Sequence, residues 1–110
     1  MLLPAGEQAV VEDAKLLDYV LNPEHPTGRH HAGLFGRLLG ITRINYELLK
    51  QQLLRAAVSV EVEAGKPTPF GQKFEMRFPV RGPLGTRPVL AVWIREQGQA
   101  SPRLITCYVE

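Results

Sequence analysis

The spacing of apolar positions changes once along the chain, from helical to alternating, and the change divides it into two halves. Residues 8–57 are mostly helical. Leu16, Leu17, Val20 and Leu21 recur at helical spacing within Lys15–Leu21, and Asn22-Pro23 stops the run because a proline drives the residue before it out of the helical region. A second helix starts near Arg29 or His30, with Ala32, Phe35, Leu38 and Leu39 as its apolar face and Gly40 at its end. A third starts at Thr42, a good N-cap, and runs to about Ala57. Ile44, Leu48, Leu49, Leu53 and Ala56 line one side of it, leaving Arg43, Lys50 and Arg55 for solvent. Upstream, Gln8-Ala9-Val10-Val11 reads as a short edge strand.

Residues 58–109 alternate with period two. Val58, Val60 and Val62 alternate with Ser59, Glu61 and Glu63, and Phe74, Met76, Phe78 and Val80 with Lys73, Glu75 and Arg77. Gly82-Pro83-Leu84-Gly85 is a turn signal. Val89–Ile94 is apolar throughout, as expected of a central strand, and Arg103–Val109 forms the last one. Connections this short permit antiparallel pairing and exclude helical crossovers. The expected class is α+β: three N-terminal helices packed on a C-terminal antiparallel meander of three to four strands, one domain over residues 1–110. The expected core holds Phe35, Leu38, Leu48, Leu49, Phe78, Val92, Trp93 and Ile105.

Composition adds little to this picture: 45% hydrophobic and 22% charged residues, with ten glycines scattered at turns. No apolar run approaches the roughly 18 residues a membrane span needs, so no membrane partner is expected. The N-terminus lacks the basic start and apolar stretch of a secretion signal. Cys107 is the single cysteine, which precludes an internal disulfide and points to a cytoplasmic location, or to a module of a larger secreted chain. Charge is uneven within a net +2. Residues 1–24 carry five acids against Lys15, and residues 25–58 carry Arg29, Arg37, Arg43, Lys50 and Arg55 against Glu47. Nine of the 13 basic residues are arginine, whose planar donors suit phosphate.

All three histidines fall within seven residues, His25, His30 and His31, on and just after a proline-stiffened loop. Adjacent His30 and His31 diverge by roughly 100° on a helix and do not share an ion easily. With no cysteine pair or HExxH beside them, neither a metal nor a cofactor is expected. Cys107 reads as a small core residue rather than a nucleophile. What remains is acid–base chemistry. His25 is the leading candidate, held between two prolines. His31 lies on the side of Phe35 and Leu38, half buried, where it serves structure or a site. His30 is solvated. In the last strand Thr106 and Tyr108 share a face, while period two places Arg103 with Ile105 and Cys107.

The phrase Leu21-Asn22-Pro23-x-His25-Pro26-x-Gly28, followed by Ala32, Phe35, Gly40, Gly82-Pro83-x-Gly85, Trp93-Ile94 and Pro102-Arg103-Leu104-x-Thr106-x-Tyr108, resembles a bacterial family of uncharacterised small domains. These occur alone and at the C-termini of secreted polymorphic toxins. The family in turn resembles the barnase–EndoU–colicin–RelE group of metal-independent ribonuclease toxins, in which helices precede a short sheet whose concave face carries the site. Carried over by position, the resemblance marks His25, His31, Arg103, Thr106 and Tyr108, read here as catalytic candidates. Apart from the resemblance, Arg29 and Lys73 are candidate contacts to the substrate. The family has lysine where this chain has His31, and a small hydroxyl residue where it has Ala91. Two functions follow: a ribonuclease-like toxin domain acting on RNA, or a non-catalytic module that binds an immunity or other partner protein, or a second copy of itself.

Overall fold

The computed structural model describes residues 1–110, and its elements follow the two periods, except that Val58 and Ser59, expected in the first strand, end the last helix and the strand begins at Val62. Helix α1 covers Asp13–Lys15 and widens into a π turn over Leu16–Val20, closed by the Leu21 N–H donating to the Leu16 carbonyl at 2.8 Å. Helix α2 covers Arg29–Leu34, widens in the same way over Phe35–Leu39, and ends at Gly40, whose φ of 71° lies in the left-handed region. A 3₁₀ turn, Arg43–Asn45, is capped by Thr42: its hydroxyl accepts from the Ile44 N–H, and Asn45 Oδ1 accepts from the Thr42 N–H. Helix α3 then runs over Glu47–Ser59. Four strands follow, β1 (Val62–Thr68), β2 (Gly71–Gly82), β3 (Gly85–Glu96) and β4 (Arg103–Val109), antiparallel in the order β1-β2-β3-β4. This is the α+β meander the sequence predicts. No helix is long and apolar enough to cross a membrane.

The helices cover one face of the sheet. Phe74, Met76, Phe78 and Val80 of β2, Val89, Ala91 and Trp93 of β3, and Leu104, Cys107 and Val109 of β4 pack in one cluster with Leu16, Val20, Phe35, Leu39, Leu49 and Leu53. The core departs from expectation at specific positions. Ile44 is 95% exposed and Leu48 40% exposed. Within α3, Leu49, Leu53 and Ala56 face inward as expected, joined by Ala57, and Leu48 stands off that face. Val92, on the sheet face away from the helices, is only half buried, and Leu38 and Ile105 are half buried as well. The edge strand expected at Gln8–Val11 shrinks to one residue. Val10 bridges parallel to Arg103, donating to the Pro102 carbonyl at 2.8 Å and accepting from the Leu104 N–H at 3.0 Å.

Two sequence signals that lie far apart meet at one end of the sheet. The β2–β3 turn docks on the end of α2, where the Leu84 N–H donates to the Leu39 carbonyl at 3.0 Å. A Cβ on Gly82 would stand 2.1 Å from that carbonyl oxygen, and one on Gly40 would stand 2.9 Å from Leu84 Cγ. The Gly82–Gly85 turn and Gly40 are therefore two sides of one contact.

Candidate functional site

The face of the sheet opposite the helices is built by register. Lys73 pairs with Ile94, Glu75 with Val92, and Arg77 with Leu90. On the other side of β3, Arg103 pairs with Ile94, Thr106 with Val92, and Tyr108 with Leu90. Partners in an antiparallel pair stand on the same face. Leu90, Val92 and Ile94 thus form an apolar strip about 13 Å long, flanked by Lys73, Glu75 and Arg77 on β2 and by Arg103, Thr106 and Tyr108 on β4. Leu90 and Ile94 are 4% and 6% exposed yet stand apart from the helix-side core. Long flanking side chains whose stems lie over apolar neighbours shield such positions.

A bulge corrects the expected placement of Arg103. The β3–β4 register shifts between Val92 and Trp93, so Ile105 is the extra residue between Leu104 and Thr106. Below it, Leu104 turns to the core and Arg103 to the outer face, beside Thr106 and Tyr108 rather than beside Cys107. Arg103 does not stand free there. Its Nε donates to Glu96 Oε1 at 2.6 Å, and this bond is the main reason its guanidinium holds its proton even more firmly than usual. Arg77 is held likewise, Nε donating to both oxygens of Glu110 at 3.1 and 3.2 Å. Each pair leaves the terminal nitrogens of the arginine uncommitted to that carboxylate.

Helix α2 packs beside β4, and His31 stacks on Tyr108 with ring centroids 4.9 Å apart and planes 30° from parallel. The Nδ1 atom of His31 is buried with no hydrogen-bond partner. Leaving a buried polar atom unpaired costs about 1–3 kcal/mol, which a histidine kept only for structure ordinarily avoids. His30 touches His31 edge-on at 5.8 Å and is exposed.

His25 belongs elsewhere. Its Nδ1 accepts from the Thr27 N–H at 3.1 Å and the Gly28 N–H at 3.0 Å, and lies 3.1 Å from the Thr27 hydroxyl. Two backbone donors on Nδ1 fix the tautomer with the proton on Nε2. The ring sits edge-on to Tyr19 at 4.8 Å, and Gly28 is needed there because a Cβ would meet the Tyr19 carbonyl at 2.8 Å and its ring at 3.2 Å. The neighbouring Asn22 accepts from the Glu24 N–H at 3.0 Å and donates to the Asp18 carbonyl at 3.2 Å. The Leu21–Gly28 phrase thus joins α1 to α2 through side-chain caps. Arg29, two residues before His31 on α2, is exposed and points away from the His31 side of the helix.

The structure therefore brings His31, Thr106, Tyr108, Arg103 and Lys73 to the outer face and its β4 rim, and leaves His25 and Arg29 outside that group. Glu96, Glu110 and Tyr19 are partners that sequence reasoning missed, and only strand register and helix packing reveal them. Cys107 is buried in the core, its thiol pushed up to about 12 by burial, which makes it a poor nucleophile.

No curated protein and no solved structure matches the chain. A family model does match: the chain belongs to the domain of unknown function family DUF6883, which it matches over residues 2–110.

Proposed function

We propose that the outer face of the sheet is a metal-independent ribonuclease-like site of toxin type, acting on RNA. The observation that carries this reading is convergence. The bulge at Ile105 adds Arg103 to the face of Thr106 and Tyr108, and α2 lays His31 on Tyr108. His31 takes the 2′-hydroxyl proton at Nε2 while that oxygen attacks phosphorus and a 2′,3′-cyclic phosphate forms. The departing 5′-oxygen takes its proton from Tyr108. Arg103 and Lys73 balance the charge that develops on the non-bridging oxygens, and Thr106 donates a hydrogen bond to the same group. Incubation of the purified chain with RNA in EDTA tests the reading. Fragments ending in 2′,3′-cyclic phosphate support it, and intact RNA contradicts it.

One observation favours a second reading, a non-catalytic module for a partner protein or a second copy of the chain. Arg77 and Arg103 are each already paired with a carboxylate, so the face offers the half-exposed Val92 framed by nearly balanced charge. That pattern suits a protein surface as well as a polyanion. Under this reading RNA stays intact, and the chain is captured by, or dimerises through, the strip around Val92.

A further inference from the structure

A second concave surface lies away from the outer-face candidates, along the seam between α3 and the distal half of β2. Strand β1 pairs with β2 only as far as Met76, so the edge of β2 beyond it has no strand neighbour. Helix α3 takes that place. Gln52 replaces the missing strand at one residue: its Oε1 accepts from the Arg81 N–H and its Nε2 donates to the Arg81 carbonyl, both at 2.8 Å. Pro79 has no N–H to leave unpaired. The edge is thereby closed to another strand, while the side chains above it frame a groove.

The groove has two connected parts that share Gln52 and Arg55. One, of about 460 Å³, is lined by Leu48, Gln51, Arg55, Arg81 and the turn at Gly82-Pro83. The other, of about 300 Å³, continues past Ser59 to Phe78 and Pro79. From Leu48 to Val60 the helical wall is roughly 18 Å long. No acidic residue lines either part. Arg55 and Arg81 form no ion pair, in contrast to Arg77 and Arg103 on the outer face. Two arginines lining one concave space with no acidic residue beside them favour an anion there. Gln51 adds a neutral donor, while the Ser59 hydroxyl donates to the Arg55 carbonyl at 2.8 Å.

We infer that this groove binds phosphate groups, with Arg55 and Arg81 as the charged donors. The planar guanidinium forks suit phosphate oxygens, and the rigid backbone pairing of Gln52 to Arg81 fixes the strand that carries one of them. The groove is remote in register from His31 and Tyr108, so the inference stands independently of the proposed cleavage. The phosphate comes either singly, on a free ion or small phosphorylated molecule, or in series along a polynucleotide.

The test uses the full chain and two probes: inorganic phosphate followed by NMR shifts of α3 and β2 amides, and a fluorescein-labelled 2′-O-methyl uridine decamer, which a ribonuclease cannot cut, followed by anisotropy. The double variant Arg55→Gln/Arg81→Gln is compared with Arg95→Gln, an exposed arginine elsewhere. Saturable binding of either probe that weakens at least tenfold in the double variant and persists in Arg95→Gln supports the inference. Binding of inorganic phosphate identifies a single-phosphate pocket, and binding of the decamer alone identifies a polyanion track. Failure of both probes to bind at low salt, or binding unaffected by the double substitution, overturns it. Both arginines are exposed and the Gln52 bonds reach only the Arg81 backbone, so the double variant unfolds at the wild-type temperature and the comparison stays valid.

Discussion

At His25 the ring nitrogen available as a base is already engaged by two backbone donors, and at Cys107 the thiol is shut off from water. Both residues are chemically attractive in a list of amino acids, and both are used by the fold. His25 acts on Thr27 and Gly28 as a side-chain cap acts on a helix start. His25→Asn places an oxygen where Nδ1 stands and keeps the acceptor, so its unfolding free energy stays within about 0.5 kcal/mol of wild type, whereas His25→Ala loses about 1–2 kcal/mol. Chemical denaturation of the two variants checks this, and equal losses in both would show that the ring, rather than Nδ1, does the holding. For Cys107 the sign of the pH dependence follows from burial. The unfolded thiol ionises near its ordinary 9.0, and the folded thiol stays neutral to about 12. Its contribution to stability is full below pH 9 and is lost as pH rises from there toward 12. The native chain at pH 8 should leave a disulfide reagent unconsumed and react once urea unfolds it. Prompt labelling of the native form would place the thiol at the surface.

At the scale of elements, the sequence makes the helices and strands legible because their periods are local, and it hides whatever depends on pairing between them. Phe35, Leu49, Phe78 and Trp93 are buried as their periods require. Ile44 and Leu48 are not: Ile44 lies in the 3₁₀ turn ahead of α3, and Leu48 stands roughly 140° around the helix from Leu53, off the inward face. The same holds for the site. Period two puts Arg103 with Cys107, and one extra residue at Ile105 reverses that, a bulge with no signature within Arg103–Val109 alone. His31 and Tyr108 are separated by most of the chain and meet only through the packing of α2 beside β4. The glycine signals were readable as turns but not as contacts. Gly82→Ala, which pushes a methyl group into the Leu39 carbonyl, should cost about 2–3 kcal/mol. Gly98 has φ of 80° with nothing within 4 Å, so Gly98→Ala should cost about 1 kcal/mol of backbone strain. Thermal unfolding of both checks the ranking, and a Gly82 variant as stable as the Gly98 variant would mean that the turn does not dock on α2.

Across the whole molecule, chemistry-bearing groups gather in three places: a capped loop at His25, an outer face with paired arginines, and a groove with unpaired ones. The N-terminal acids are spent partly on internal ties, with Asp13 paired to Lys50 of α3. The basic excess of residues 25–58 therefore does not act as one patch: Arg55 lines the groove beside β2, and Arg43 a separate cleft beside Pro23. The central claim is that proton transfer belongs to His31 against Tyr108 and not to His25. It is tested most directly by RNA cleavage in EDTA at pH 7 by wild type, His31→Gln and His25→Asn, each first shown to be folded. His31→Gln is expected to lose cleavage by about 10²-fold or more, while His25→Asn cleaves at nearly the wild-type rate. Undiminished cleavage by His31→Gln, with loss confined to His25→Asn, would contradict it.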